Sequence, residues 1–153
     1  MIALRRPGRP NYVAHLSTLP LFSDCSRLEL KHLARHTADI TAAPGQVLLR
    51  EGQGAHDFFV IVSGEAEVSR DGRAVTRLGG GDYFGELGVL DPGRRDATVT
   101  ACTPMELIVL AQWDFEQALE VAPGMTRRLL AGMAHRLRCL DRQPALVDGR
   151  RAW

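Results

Sequence analysis

Gly85, Glu86 and Arg95 bring three kinds of chemistry into eleven residues of chain. A glycine lets backbone N–H groups approach an anion, a carboxylate accepts hydrogen bonds from sugar hydroxyls, and a guanidinium clamps a phosphate with two parallel donors. They sit in Phe84-Gly85-Glu86-Leu87-Gly88-Val89-Leu90, an Asp91-Pro92-Gly93 turn, and Arg94-Arg95-Asp96-Ala97-Thr98-Val99. A short helix opening at Gly85 would aim its amides at a phosphate, and Arg95 would return to the same point across the turn. Glu86 beside a phosphate is repulsive unless it holds a neutral hydroxyl. The combination therefore suits a phosphorylated sugar, a small nucleotide rather than a polymer.

The rest of the chain must supply a frame for that socket. Its 153 residues fit one domain with a real hydrophobic core. Apolar residues at 45% and charged residues at 24% are ordinary for a globular protein. A net charge of +1 gives no global pull toward nucleic acid or an anionic membrane, so a phosphate site has to be local. No stretch approaches the roughly 18 apolar residues of a membrane span, and no apolar run of signal-peptide length follows Arg5, Arg6 and Arg9. Cys25, Cys102 and Cys139 are odd in number and widely spaced, which points to a reduced, cytoplasmic compartment. All but one of the 19 basic residues are arginine, a hint of GC-rich coding and of a bacterial source.

The hydrophobic pattern runs helix, strands, helix. Residues 1–11 are rich in Arg, Pro and Gly and read as a flexible N-terminal segment. Helical spacing in 12–37, as in Leu28, Leu30, Leu33 and Ala34, is interrupted by Leu19-Pro20-Leu21-Phe22, so two short helices are expected, with Ser23-Asp24 and Ser26 as caps. Over 38–111 the pattern becomes short strands between glycine turns: Gln46 to Arg50, Phe58 to Val62, Glu65 to Ser69, Arg73 to Leu78, Thr98 to Ala101 and Met105 to Ala111. Asp71-Gly72 is a two-residue hairpin signal. Seven or eight such strands at regular spacing predict a jelly roll or barrel. Residues 112–141 return to helix in two pieces, the second restarting at Pro123, with Met125, Leu129, Met133, Leu137 and Leu140 read as its apolar stripe. Arg127, Arg128, Arg136, Arg138 and Arg142 are read as its solvated side, and 142–153 as a flexible tail.

The stretch from Phe84 to Val99 resembles the phosphate-binding cassette of cyclic nucleotide-binding domains, as found in catabolite-activator-type regulators, kinase regulatory subunits and nucleotide-gated channels. Gly45, Gly52, Gly64 and Gly81 also stand where that family places glycines, and the similarity covers about Leu16 to Leu140. The resemblance implies a mainly β fold, a double-stranded β-helix (jelly-roll-like β-roll), with N-terminal helices and a C-terminal helix pair over a domain spanning 12–141. It implies that Gly85 and Glu86 supply amides and that Glu86 holds the ribose hydroxyl. Leu87 and Gly88 would continue the small helix, Arg95 would pair with the cyclic phosphate, and Ala97 would lie beside it. Asp96 departs from the family, which commonly has Ser, Thr or Ala there; its backbone amide remains available for the ligand. The ligand implied is cyclic AMP or cyclic GMP, with cyclic AMP placed first, and no further cofactor. The last long helix would cap the base, and dimerisation along that helix is a family habit.

These assignments compete with plainer ones. Glu86 and Arg95 as an ion pair within the loop would only stabilise the roll. Gly45, Gly52, Gly64, Gly79, Gly80 and Gly81 read as structural turns that need positive φ. His32 and His36, four apart on a helix, lack a Cys, Asp or Glu to complete a metal set, so no metal site is expected. His56 alone cannot furnish a cupin-type centre, and no nucleophile elbow or catalytic Cys–His pattern appears, so no enzyme is expected. The expected function is a regulatory binding module acting on an effector protein. A catabolite-activator-type regulator would need a helix-turn-helix, and the thirteen residues Asp141 to Trp153 are too few for one, so direct DNA binding is not expected. The remaining alternative is a degenerate scaffold in which Asp96 occupies Arg95 and the domain binds protein alone.

Overall fold

Phe58-Phe59-Val60-Ile61 is apolar at every position, which a strand tolerates only when both of its faces are covered. The computed structural model, which describes residues 3–5, 12–53, 57–86, 90–91 and 97–141, places this run in β4 (Asp57–Ser63). Phe59 and Ile61 point into a core between two sheets, and Phe58 and Val60 into a second core beneath the helices. The period-two alternation of a strand thus divides one apolar run between two cores.

The first sheet has the order β1 (Ala3–Arg5), β2 (Ala38–Ala42), β9 (Met105–Ala111), β4, β7 (Tyr83–Phe84). The second has the order β3 (Val47–Leu49), β8 (Thr98–Ala101), β5 (Ala66–Arg70), β6 (Arg73–Leu78). Every pairing is antiparallel. The protein is a mainly β, jelly-roll-like β-roll with flanking helices, as its strand pattern predicts. Asp71 and Gly72 both take positive φ, 51° and 75°, the backbone of the tight hairpin expected between β5 and β6. At Gly64 (φ 94°) a Cβ would overlap the Pro104 carbonyl oxygen, so glycine is required there by packing as well as by φ.

Two of the helices open on a local signal. α1 (Tyr12–Ser17) and α2 (Arg27–His36) flank a 3-10 turn at Pro20–Phe22, and Ser26 caps α2 in a reciprocal capping box with Glu29. Gln112–Val121 forms α3, and Pro123–Asp141 forms α4, with proline opening its first turn. Leu16, Phe22, Leu33, Phe115, Met125 and Leu129 meet Phe58, Val60, Ile108 and Leu110 in the helix-side core.

Three details differ from the sequence-based expectation. Ala3–Arg5, within the stretch read as a flexible terminus, add a strand to β2. Nine strands stand among the described residues, against seven or eight expected; β1, β2 and the two-residue β7 are not among the runs named from the sequence. Gly79 and Gly80 lack the positive φ expected of them, whereas Gly45, Gly52, Gly64 and Gly81 have it. The tail 142–153 lies outside the described residues.

Candidate functional site

β7 delivers the chain to the candidate site. Gly81 N–H donates to the Ile61 carbonyl and Ile61 N–H to that of Asp82, both at 2.8 Å, so the approach is tied to central strand β4. Alternation then separates neighbours: Phe84 stacks on Phe59 inside the roll with ring centroids 4.9 Å apart, while Tyr83 faces the helices beside Phe58. Gly85 follows at φ 94°, a left-handed backbone that a Cβ disfavours, and it turns the chain so that Glu86 points inward.

Glu86 is 2% exposed, and with Thr37 it makes up the buried polar residues of the described chain. A buried carboxylate needs a compensating donor. Arg136, from the second half of α4, provides it: Nη1 donates to Glu86 Oε1 at 2.6 Å. The same guanidinium lies 5.9 Å from the centroid of the Tyr83 ring. Tyr83 in turn sits against Gly132, where a Cβ would overlap the phenol oxygen. Burial first, and then the Glu86 carboxylate, raise the Tyr83 pKa above its ordinary 10.0, with Arg136 acting in the opposite direction. The phenol stays protonated.

This geometry removes the electrostatic objection to an acid beside a phosphate. Paired with Arg136, Glu86 adds no net charge to the site, yet a carboxylate still offers lone pairs to a hydroxyl. Ala97, the last residue of the expected cassette, is half-buried immediately before β8. There Thr98 Oγ1 accepts from Glu51 N–H at 3.0 Å. The loop therefore crosses from the first sheet at β7 to the second at β8.

The model of the cyclic nucleotide-binding domain family matches residues 40–121, more than half of the chain. This protein belongs to the cyclic nucleotide-binding domain family. As a member of that family it is 35% identical over 113 residues to a cAMP-dependent protein kinase regulatory subunit of Yarrowia lipolytica, covering 72% of this chain and 30% of the relative. An uncharacterised protein of Mycobacterium tuberculosis is 45% identical over 93 residues, covering 56% of this chain and 18% of the relative. Among solved structures, the catabolite activator protein of Thermus thermophilus superposes with a TM-score of 0.72 at 28% identity, over 80% of this chain and 60% of that one. A regulatory subunit of a cAMP-independent protein kinase A from Trypanosoma brucei gives 0.70 at 27%, over 78% and 46%. The cyclic nucleotide-binding domain thus spans less than a third of the curated relatives' length.

Of the residues expected in this domain's cassette, Gly85, Glu86 and Ala97 are placed as above, and Leu87, Gly88, Arg95 and Asp96 lie outside the described residues. The sequence pattern places Arg136 on the solvated side of the helix, whereas in the structure it meets the buried acid. Arg128, assigned to the same solvated side, holds Asp24 through two bonds of 2.7 and 3.2 Å. The His32 and His36 rings lie 4.6 Å apart, tilted by 42°, and Asp114 from α3 stands 3.3 Å from His36 Nδ1. Among the described residues no group of three or more His, Cys, Asp or Glu could hold a metal ion, and no helix is long and apolar enough to cross a membrane.

Proposed function

We propose that this domain is a regulatory module that binds a cyclic nucleotide, cyclic AMP or cyclic GMP with cyclic AMP placed first, in the cassette Gly85, Glu86, Leu87, Gly88, Arg95, Asp96 and Ala97. Amides of the cassette and the Arg95 guanidinium take the phosphate, and Glu86 takes the ribose hydroxyl. Binding is coupled to α4, and the module catalyses no reaction. The observation that carries the coupling is the Arg136–Glu86 bond, which ties the helix to the same carboxylate that the ribose would use. Ligand and helix then bias each other, to the extent that the nucleotide favours one helix position.

The output is a change in the surface that α4 offers. Leu130 and Leu137, seven residues apart and each 62% exposed, lie on one side of that helix and fit a second copy of the chain. Light scattering behind a sizing column is expected to give a dimer for wild type and a monomer for the Leu130→Glu, Leu137→Glu pair; a wild-type monomer would refute this part. An effector protein that senses the helix, and a cytoplasmic location for a chain whose three cysteines are free, complete the proposal.

A second reading, a scaffold that binds protein alone, is favoured by Asp96 and by the likeness to the Trypanosoma brucei subunit of a cAMP-independent kinase. Calorimetric titration with cyclic AMP, repeated on Arg95→Ala and Asp96→Ser, separates the two.

A further inference from the structure

His135 and Cys139 stand four positions apart in the second half of α4, and both are exposed. Residues at that spacing share one face of a helix. Cys139 Sγ lies 3.7 Å from His135 Nε2, so the two side chains turn their ligating atoms toward one point. A tetrahedral zinc ion has bonds of roughly 2.3 Å to sulfur and 2.0–2.1 Å to nitrogen, which sets two such donors about 3.5–3.6 Å apart. The pair already has that separation. The other two thiols offer nothing comparable: Cys25 is half-buried, its pKa pushed up to about 11 chiefly by burial, and Cys102 Sγ donates to the Thr100 carbonyl at 3.9 Å.

Two donors are half of a closed zinc site. Among the described residues no third His, Cys, Asp or Glu completes a set with them. A second copy related by a two-fold axis brings the same pair, and two pairs make the four ligands of a tetrahedral centre. Residues 134–139 are all exposed, so a second helix can reach the pair without displacing the core. Electrostatics favour the ion as well. The free carbonyls at a helix C-terminus attract a cation, and two thiolates neutralise zinc, so the site adds no charge between two helix ends that each carry Arg138.

We propose that His135 and Cys139 of two copies bind one zinc ion between them, making a metal-dependent contact between chains. Each Cys139 gives up its thiol proton to solvent and binds through Sγ as the thiolate, and each His135 binds through a neutral Nε2. Leu130 and Leu137 lie roughly half a turn away around α4, so this contact is separate from the one proposed for them above. The zinc site does not depend on what the cassette binds.

Cobalt(II), a coloured substitute for zinc, is titrated into the full chain under reducing conditions and without nucleotide. The chain carries Leu130→Glu and Leu137→Glu, so that the other contact is absent. A thiolate-to-cobalt charge-transfer band is expected to saturate at one metal per two chains. Light scattering should show zinc doubling the mass, and a chelator should reverse it. Cys139→Ser is expected to lose both the band and the doubling, and His135→Ala the doubling; all of these substitutions fall at exposed positions. Saturation at one metal per chain without doubling would make the pair a chelating site of a single chain and overturn the bridge. Absence of the band, or a band and doubling that survive in Cys139→Ser, would overturn the site itself.

Discussion

Arg136 donates to the Glu86 carboxylate across fifty positions of chain, and the two partners are buried very unequally, with side chains 50% and 3% exposed. Removing Arg136 strips a buried acid of its donor, whereas removing Glu86 leaves a guanidinium that water can serve. A double-mutant cycle with Arg136→Ala and Glu86→Ala, read by chemical denaturation without nucleotide, is expected to give a coupling of about 1–2 kcal/mol. Additive effects of the two changes would mean that the bond contributes nothing in solution.

The roll has its own test at Gly64. Gly45 (φ 86°) and Gly64 (φ 94°) share a left-handed backbone, but a Cβ has open space at Gly45 and meets the Pro104 carbonyl at Gly64. Gly45→Ala is expected to cost about 1 kcal/mol from backbone strain alone, and Gly64→Ala about 2–3 kcal/mol because the β4–β5 turn must also move. Equal losses in denaturant titrations would show that the close approach to Pro104 carries no weight.

The strands were legible because their residues alternate or are bounded by glycine: β8 and β9 fall on the expected residues, and Asp71-Gly72 turns as its sequence requires. The phase of α4 was not. Steps of four advance about 40° around a helix, so Leu137 lies roughly 120° from Met125, while Gly132 and Arg136 stay within about 20° of it. The inward line therefore runs Met125, Leu129, Gly132, Arg136, and Leu137 faces solvent. An apolar stripe could not reveal a face whose far end meets a carboxylate and is itself polar. Glu86 was found through its neighbours Gly85 and Arg95; its partner, fifty residues away, left no local signal.

Arg128 gives the start of α4 a pH signature. Its hydrogen bond is the largest influence on Asp24 and holds that carboxyl below its ordinary 3.8, against a smaller opposing effect of desolvation. A folded-state pKa below the unfolded one stabilises the fold fully above about pH 3.8, and that stabilisation is lost as pH falls through the lowered value. Carboxyl carbon NMR is expected to show Asp24 titrating low in wild type and higher in Arg128→Ala. The stability gap between the two proteins should close in acid. A gap that persists at the acid limit would assign the loss to packing of the arginine stem instead.

Calorimetric titration with cyclic AMP is the most direct measurement of all. Saturable binding at one site per chain is expected in wild type, with loss of about a hundredfold or more in Arg95→Ala, where a charge-assisted phosphate clamp disappears. No binding by wild type, with binding recovered in Asp96→Ser, would contradict the sensor and leave the protein as a scaffold that retains the cassette.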